Sequence, residues 1–237
     1  IKFPNGKSGN YNIPDGVNSI EFRDFVGSSS LESVTIPDSV KIIGHTPFYE
    51  CSNLTSISVG KGNSNYASED GVLFDKNKTS LIRFPIGKRG HYNIPDSVTR
   101  IGDSAFTGCS GLTSVTIPDT VIEIKFGAFN GCSSLGSVSI PNGVTSINPS
   151  TFANCINLKE MIMPDSMKSI GSDSAALPAF YNCISLTSII IPASVTNLYR
   201  NAFSGCENLA GFIFEGNAPY VESFQGLWRF PSAPSEA

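Results

Sequence analysis

The segment CSGLTSVTIPDTVIEI, from Cys109 to Ile124, decides the fold because the chain repeats it at a fixed distance. A close copy, CSSLGSVSIPNGVTSI, begins 23 residues later, and CINLKEMIMPDSMKSI begins 23 residues after that. A repeat period of about 20 to 50 residues is typical of solenoids, in which each coil packs mainly against its two neighbours. The sequence therefore predicts a stack of similar coils.

The residue before the proline of each Ile-Pro step, or its equivalent, marks the successive coils. The nine markers are Ile13, Ile36, Val59, Ile94, Ile117, Ile140, Met163, Ile191 and Phe214. They are 23, 23, 35, 23, 23, 23, 28 and 23 residues apart. We therefore predict about nine coils, two of which carry insertions.

Each coil contains two short apolar segments separated by a proline. In the quoted coil, apolar and β-branched residues alternate with polar ones up to Ile117, a pattern that favours a strand with one buried face. Pro118 cannot donate a hydrogen bond to a sheet and ends this strand. Val121 and Ile124 predict a second strand on the opposite side of the coil. The predicted fold class is mainly β, a right-handed solenoid with a parallel main sheet.

Phenylalanine and cysteine each recur at one fixed position of the repeat. We expect the phenylalanines to form a ladder of buried rings about 4.8 Å apart, the spacing of paired strands. They are Phe25, Phe48, Phe106, Phe129, Phe152, Phe180 and Phe203. The cysteines precede the main strand, and Ser28 takes their place in the second coil, which indicates a small side chain that meets backbone groups at a tight turn. They are Cys51, Cys109, Cys132, Cys155, Cys183 and Cys206.

Six cysteines also raise the alternatives of three disulfides or of a metal site. Equivalent residues in stacked coils point the same way, so their Cβ atoms stay near the strand spacing of about 4.8 Å. A disulfide needs a Cβ separation of about 3.5–4.5 Å. Neither His45 nor His91 has a cysteine at the spacing of a zinc site. We therefore predict free, buried thiols, with no disulfide and no bound metal.

The complete repeat, Leu-x-x-Val-x-Ile-Pro followed by Val-x-x-Ile-Gly-x-x-Ala-Phe-x-x-Cys, resembles the BspA-like class of leucine-rich repeats. Repeats of this class occur in bacterial surface proteins and in some surface proteins of parasitic protists. The resemblance covers Ile1 to about Pro219. It implies a curved leucine-rich-repeat solenoid that adheres to other proteins or cells, located outside the cell or at its surface. It implies no reaction.

The longest coil contains GVLF and LIRF on either side of the polar DKNKTS, which predicts a β-hairpin. Asp70, Asp75 and Asn77 are faintly similar to a calcium loop, but the bidentate glutamate and the spacing are missing, and a hairpin turn explains them better. The opening IKFPNGKSGNYNIPDGV matches Ile82 to Val98 at 12 of 17 positions. We therefore expect the chain to begin inside a similar coil of a longer protein.

The repeat disappears after Pro219, which suggests a boundary. We predict one solenoid domain over residues 1–219 and a C-terminal cap with a loose tail over residues 220–237. The last coil of a solenoid needs a cover for its core and its strand edges. We expect Phe224, Leu227, Trp228 and Phe230 to fold over that coil.

Composition and motifs argue against nucleic-acid binding and against catalysis. The 237 residues include 16 Lys and Arg against 20 Asp and Glu, a net charge of −4, so the chain lacks the basic face that nucleic acids require. No run of residues is long enough for a transmembrane helix. The chain has no Gly-x-Ser-x-Gly, His-Glu-x-x-His or phosphate-loop motif, and its serines have no histidine or lysine base beside them. We predict a monomer that is not an enzyme, needs no cofactor and does not insert into a membrane.

Three functions remain, in order: a protein-binding or adhesion module, a passive spacer that presents another domain, and a glycan-processing or protease activity. A spacer would carry the same inert residue at each exposed strand position. The position before each marker reads Asn12, Thr35, Ser58, Asn93, Thr116, Ser139, Ile162, Ile190 and Ile213. We predict that the three isoleucines point outward and form an apolar binding stripe. The expected partner is a protein, such as a component of host extracellular matrix or a surface protein of another cell.

Overall fold

The structure, a computed structural model, describes residues 8–22, 24–172, 177–199 and 201–216. These residues form short strands and turns that wind into a β-solenoid of about nine coils, which confirms the predicted mainly β solenoid with a parallel main sheet. Within these ranges there is no helix long and apolar enough to cross a membrane. The predicted capping residues, Phe224, Leu227, Trp228 and Phe230, lie outside the described residues.

The first strand of each coil belongs to a parallel array that we call the main sheet. Its strands are β1 (Gly9–Asn12), β3 (Leu31–Ile36), β5 (Ser56–Val59), β9 (Gly90–Asn93), β11 (Leu112–Thr116), β13 (Ser137–Ser139), β15 (Glu160–Ile162), β17 (Ser188–Ile191) and β19 (Gly211–Phe214). The pairs within β1–β3–β5, β9–β11, β13–β15 and β17–β19 are parallel and join equivalent residues of consecutive coils. Between β15 and β17 the turns that precede the two strands are joined by a backbone hydrogen bond from Ser185 N to Ile156 O, 3.2 Å.

The second apolar segment of each coil forms shorter strands on the opposite side, which we call the back face. They are β2 (Ser19–Ile20), β4 (Ile42–Ile43), β8 (Ser80–Arg83), β10 (Arg100–Ile101), β12 (Glu123–Ile124), β14 (Ser146–Ile147), β16 (Ser169–Ile170) and β18 (Asn197–Leu198). The pairs β2–β4, β8–β10–β12 and β14–β16–β18 are parallel. Each coil therefore contributes one wall to either side of a shared core, as the two apolar segments predict.

The long coil contains the predicted hairpin and one strand more. β7 (Val72–Asp75) pairs antiparallel with β8, and also with β6 (Tyr66–Glu69), which sequence reasoning did not identify. Asp70 and Gly71 connect β6 to β7 with φ of 50° and 75°, the left-handed pair that a two-residue hairpin turn requires. Asp75 accepts hydrogen bonds from Thr79 Oγ1 (2.7 Å) and from Ser80 N (2.8 Å). Asp75 is thus a turn residue.

The core is organised around stacked phenylalanine rings. From Phe106 to Phe203 the centroids of successive rings lie 4.8–5.5 Å apart, and the ring planes are within 13° of parallel. In the long coil the ladder continues through Phe84, 5.0 Å from Phe106, a residue that sequence reasoning did not place in it. Among the described rings, none bridges Phe84 to Phe48, and the buried apolar residues divide there into two clusters.

Candidate functional site on the main sheet

The candidate binding residues occupy one row of exposed positions on the main sheet. Strand geometry directs alternate side chains to opposite faces. In β17, Ile189 is 2% exposed and Ile190 is 47% exposed. Ile162 and Ile213 occupy the same position in the coils on either side and are 54% and 55% exposed. The other six members of the row are exposed polar residues: Asn12, Thr35, Ser58, Asn93, Thr116 and Ser139.

The three isoleucines occupy the same position in consecutive coils, and two of them are direct strand partners. Ile190 is the direct partner of Ile213 in the β17–β19 pair. Ile162 is the partner of Ser139 in the β13–β15 pair, so the polar row meets the apolar one at that step. We call Ile162, Ile190 and Ile213 the isoleucine stripe. Small residues flank the last two strands of the stripe on its exposed side, including Thr187, Ser188, Ala210 and Gly211. The stripe is therefore accessible to a flat partner surface.

Carboxylates lie close to one end of the stripe. Ile162 lines a shallow cavity of about 340 Å³ together with Asp119, Asn142 and Asp165. These three polar residues follow the marker prolines of consecutive coils and are therefore stacked along one edge of the main sheet. The surface around Ile162 thus combines an apolar side chain with negative charge, a combination that suits a partner with an apolar patch beside a cation.

Each cysteine thiol connects two consecutive coils. Cys132 Sγ lies 3.2 Å from the carbonyl oxygen of Phe106, and the other thiols contact the ladder carbonyl of the preceding coil at 2.9–3.8 Å. All six cysteines are buried, free thiols. Burial raises the pKa of Cys51 to about 11 and the pKa of Cys109 and of Cys155 to about 12. Cys51, Cys109 and Cys155 are therefore neutral packing residues and poor nucleophiles.

One part of the sequence argument against catalysis is wrong, because the sheet places a base beside a serine. His91 Nδ1 lies 2.8 Å from Ser114 Oγ, since these two residues are partners in the β9–β11 pair. His91 Nε2 lies 2.7 Å from Asn93 Oδ1 and 3.3 Å from Thr116 Oγ1. All of these contacts are on the exposed sheet surface, so water competes for each group and nothing excludes it from the serine. The contact resembles a cross-strand polar pair more than an activated nucleophile.

The described residues contain no group of three or more His, Cys, Asp or Glu side chains that could hold a metal ion. Sequence reasoning also missed a buried cation. Arg83 is 3% exposed, next to the ladder residue Phe84. The signal for it was the dipeptide Arg-Phe where four regular coils have Ala-Phe, but the hairpin insertion hides that alignment.

Comparison with protein families identifies the same repeat that the structure shows. The BspA type leucine rich repeat region matches residues 2–87, 88–210 and 174–225. None of the proteins with a curated functional description matches this chain.

Solved structures of bacterial surface-type repeats are similar to this one. A leucine rich cell surface protein from Faecalibacterium prausnitzii is 30% identical with a TM-score of 0.73, over 89% of this chain and 60% of that protein. A leucine-rich repeat protein from Eubacterium ventriosum is 26% identical with a TM-score of 0.57, over 83% of this chain and 64% of that one. The pneumococcal vaccine antigen PcpA is 27% identical with a TM-score of 0.55, over 85% of this chain and 43% of that protein.

This chain therefore spans less than two thirds of each of these three proteins. The family pattern extends over nearly all of the chain, and the coils, ring ladder and paired strands follow from that pattern. The chain belongs to the family of BspA type leucine-rich repeat proteins.

Proposed function

We propose that this chain is a non-catalytic protein-binding module that acts outside the cell or at its surface, and that it binds its partner through the isoleucine stripe. The observation that supports this most is the change along one row of the main sheet. Six coils carry exposed polar residues at this position, and three consecutive coils carry exposed isoleucines. Contiguous exposed apolar surface is a feature of interaction sites.

The surroundings of the stripe indicate the kind of partner. The flat sheet with small flanking residues suits an extended protein surface rather than a small molecule. Asp119 and Asp165 near Ile162 favour a partner that places lysine or arginine beside its apolar patch. The cell-surface location is supported by the name of the Faecalibacterium relative, a leucine rich cell surface protein. Adhesion to host matrix or to another cell would be one use of such a module.

The alternative is a passive spacer, for which the exposed residues have no binding role. A three-residue β-branched row also stabilises a sheet through cross-strand contacts, so the stripe has a structural use in a spacer as well. The two functions differ in one measurable respect. A binding module loses its partner when the stripe is made polar, whereas a spacer has no partner at this surface.

The test is binding of the chain to a panel of purified, immobilised extracellular-matrix glycoproteins, compared with two variants. Ile190→Asp introduces a charge into the middle of the stripe. Thr35→Asp introduces the same charge at the same repeat position, several coils away. We expect at least a tenfold loss of affinity for Ile190→Asp and no change for Thr35→Asp, with circular dichroism unchanged in both. Equal binding by Ile190→Asp and the parent chain would exclude the stripe, and the absence of binding to every panel member would favour the spacer.

A further inference from the structure

A cleft opens on the back face beside the long coil, where the row of back-face strands is interrupted. Among the described strands, β4 pairs only with β2, whereas β8 pairs with β10 and with the hairpin strand β7. The cleft between β4 and β8 has a volume of about 520 Å³. Its apolar wall includes Ile42, Ile82 and the buried Leu73. The isoleucine stripe lies on the other side of the coils, so this cleft is separate from the proposed protein-binding surface.

The charged residues of the cleft are mainly cationic. Arg83, Arg100 and Lys125 line it, against one lining carboxylate, Asp103. Two of the cations have acidic neighbours: Arg100 Nε lies 2.5 Å from Glu123 Oε2, and Lys125 Nζ lies 3.8 Å from Asp103 Oδ2. In the described part of the chain, Arg83 forms no ion pair. Arg83 is therefore the source of the uncompensated positive charge.

The guanidinium of Arg83 is held by backbone groups alone. Its Nη1 donates to Ser104 O at 2.5 Å, and its Nη2 donates to Thr107 O at 3.1 Å. The Nε atom is the one buried side-chain nitrogen or oxygen of the described residues that has no hydrogen-bond partner. Burial lowers the pKa of Arg83, since desolvation opposes its charge. A buried cation without an anion is costly in a folded protein.

The repeat itself does not need this arginine. Phe84 N donates to Ala105 O, and Phe106 N donates to Ala128 O, so Phe84 and Phe106 are equivalent residues of the ladder. The residue before the ladder phenylalanine is therefore Arg83 in the long coil and a small buried residue, such as Ala105, Ala128 or Thr151, in the regular coils. In the long coil a larger, charged side chain at this position lines the cleft, where the regular coils have a small buried residue.

We propose that this cleft binds a small organic carboxylate, with the carboxylate group at the Arg83 guanidinium and an aliphatic part against Ile42 and Leu73. Arginine pairs well with a carboxylate because its donors match the two oxygens. Asp103 in the lining disfavours a doubly charged phosphate. The volume fits a ligand of the size of an N-blocked dipeptide or an acidic sugar, and the apolar wall favours the dipeptide.

Isothermal titration of the intact chain tests this with four probes: N-acetyl-dileucine, its C-terminal amide, glucuronate and inorganic phosphate. We expect saturable binding of N-acetyl-dileucine, at least tenfold weaker binding of the amide, and weaker binding of phosphate than of either carboxylate. The two carboxylates distinguish a peptide end from an acidic sugar. No saturable carboxylate binding, equal affinity for the amide, or tighter binding of phosphate would overturn the proposal.

Three variants locate the site. Arg83→Met removes the charge at similar length and is expected to weaken carboxylate binding at least tenfold. Lys125→Ala, at the exposed side of the cleft, is expected to weaken it about threefold. Lys168→Ala changes an exposed lysine of the back face outside the cleft and should leave the affinity unchanged. If Arg83→Met does not fold, the Lys125→Ala variant and the amide probe test the site. Unchanged carboxylate affinity in Lys125→Ala, together with equal binding of the amide and the carboxylate by the parent chain, would exclude the cleft.

Discussion

The regular coils from Phe106 to Phe203 and the long coil between Val59 and Ile94 use the same repeat in different ways. In the regular coils the rings are stacked within 13° of parallel, and all the buried apolar residues except Ala153 belong to one cluster. In the long coil the hairpin divides the core, since Leu73 packs with the N-terminal cluster and Val72 and Phe74 pack with the other.

The regular coils and the long coil therefore differ in what they contribute, stability in one case and a cleft in the other. Identical coils give each buried group the same neighbours above and below, so their stabilising contacts repeat along the stack. An inserted hairpin interrupts that repetition and leaves room for a cleft with a buried cation. The same insertion leaves the cysteine contacts on both sides in place, at Cys51 and Cys109. We therefore expect the regular coils to carry more of the stability and the long coil to carry the cleft.

The largest expected effect is the loss of a ring from the regular ladder. Phe129 lies between Phe106 and Phe152 at 4.8 and 5.4 Å, fully buried, so Phe129→Ala should lower the free energy of unfolding by about 3–5 kcal/mol. Phe84 has one neighbour in the ladder, Phe106, packs on another side against the partly buried Tyr92 at 4.8 Å, and adjoins the cleft residue Arg83. Phe84→Ala should therefore cost less, about 2–3 kcal/mol. Urea denaturation measures both, and an equal or larger loss at Phe84 would contradict the comparison.

The next largest expected effect is a fall in the free energy of unfolding at high pH, which arises from buried thiols of the regular coils. Burial raises the pKa of Cys109 and of Cys155 from the ordinary value of 9.0 to about 12. Above about pH 9, the unfolded chain releases thiol protons that the folded chain retains. The unfolded state therefore binds fewer protons, and the free energy of unfolding falls as the pH rises toward 12.

Cys109 and Cys155 each contribute a fall of about 1.4 kcal/mol per pH unit in this window. Urea denaturation of the parent chain and of Cys155→Ser, with reducing agent, between about pH 9.5 and 10.5 checks this. The serine variant should show a slope smaller by about that amount, because lysine and tyrosine titrations are common to both proteins. Identical slopes in the two proteins would mean that Cys155 ionises as easily in the folded chain as in the unfolded one.

Sequence periodicity was sufficient to predict most of the fold, for a physical reason. Alternation within Leu112–Thr116 determines which side chains are buried, and the 23-residue period then places every equivalent residue in the same environment. The exposure of Ile190 beside the buried Ile189 follows from the same alternation. The cysteine position was predicted to hold a small side chain that meets the backbone, and the thiol of Cys132 does contact Phe106 O.

What the repeat does not determine could not be predicted. The third hairpin strand contains Tyr66–Glu69, whose sequence YASE has no apolar run. Arg83 stands in an alternating strand that would equally suit an exposed arginine, and it is buried because neighbouring turns supply the carbonyls of Ser104 and Thr107. By contrast, the contact of His91 with Ser114 could have been predicted, because the two residues are 23 apart and occupy equivalent positions of consecutive coils. The right-handed sense of the winding stays a prediction.

A smaller effect is expected at the hairpin turn. Asp75→Ala removes the acceptor for Thr79 Oγ1 and for Ser80 N, and should lower the free energy of unfolding by about 1 kcal/mol. Asp119→Ala changes an exposed turn residue of a regular coil and should stay within about 0.5 kcal/mol of the parent. Thermal melting with and without added calcium tests whether Asp75 belongs to a calcium site instead of a turn. A melting temperature of the parent chain that rises with calcium, and no longer rises in Asp75→Ala, would favour a calcium loop over a turn.

The smallest expected change in the free energy of unfolding is at the isoleucine stripe. Ile190 is 47% exposed, so Ile190→Thr keeps the β-branched shape, removes little buried surface and should change the free energy of unfolding by less than about 0.5 kcal/mol. The same change at its neighbour, Ile189→Thr, places a hydroxyl in the core at 2% exposure and should cost about 1–3 kcal/mol. Urea denaturation of both variants gives the contrast between two adjacent residues of one strand.

A loss above about 1 kcal/mol at Ile190 would mean that something covers the side chain in solution, either residues beyond 216 or a second copy of the chain. Truncation after residue 216 would then distinguish the two, because the loss disappears on truncation if the C-terminal residues are the cover and persists if a second copy is.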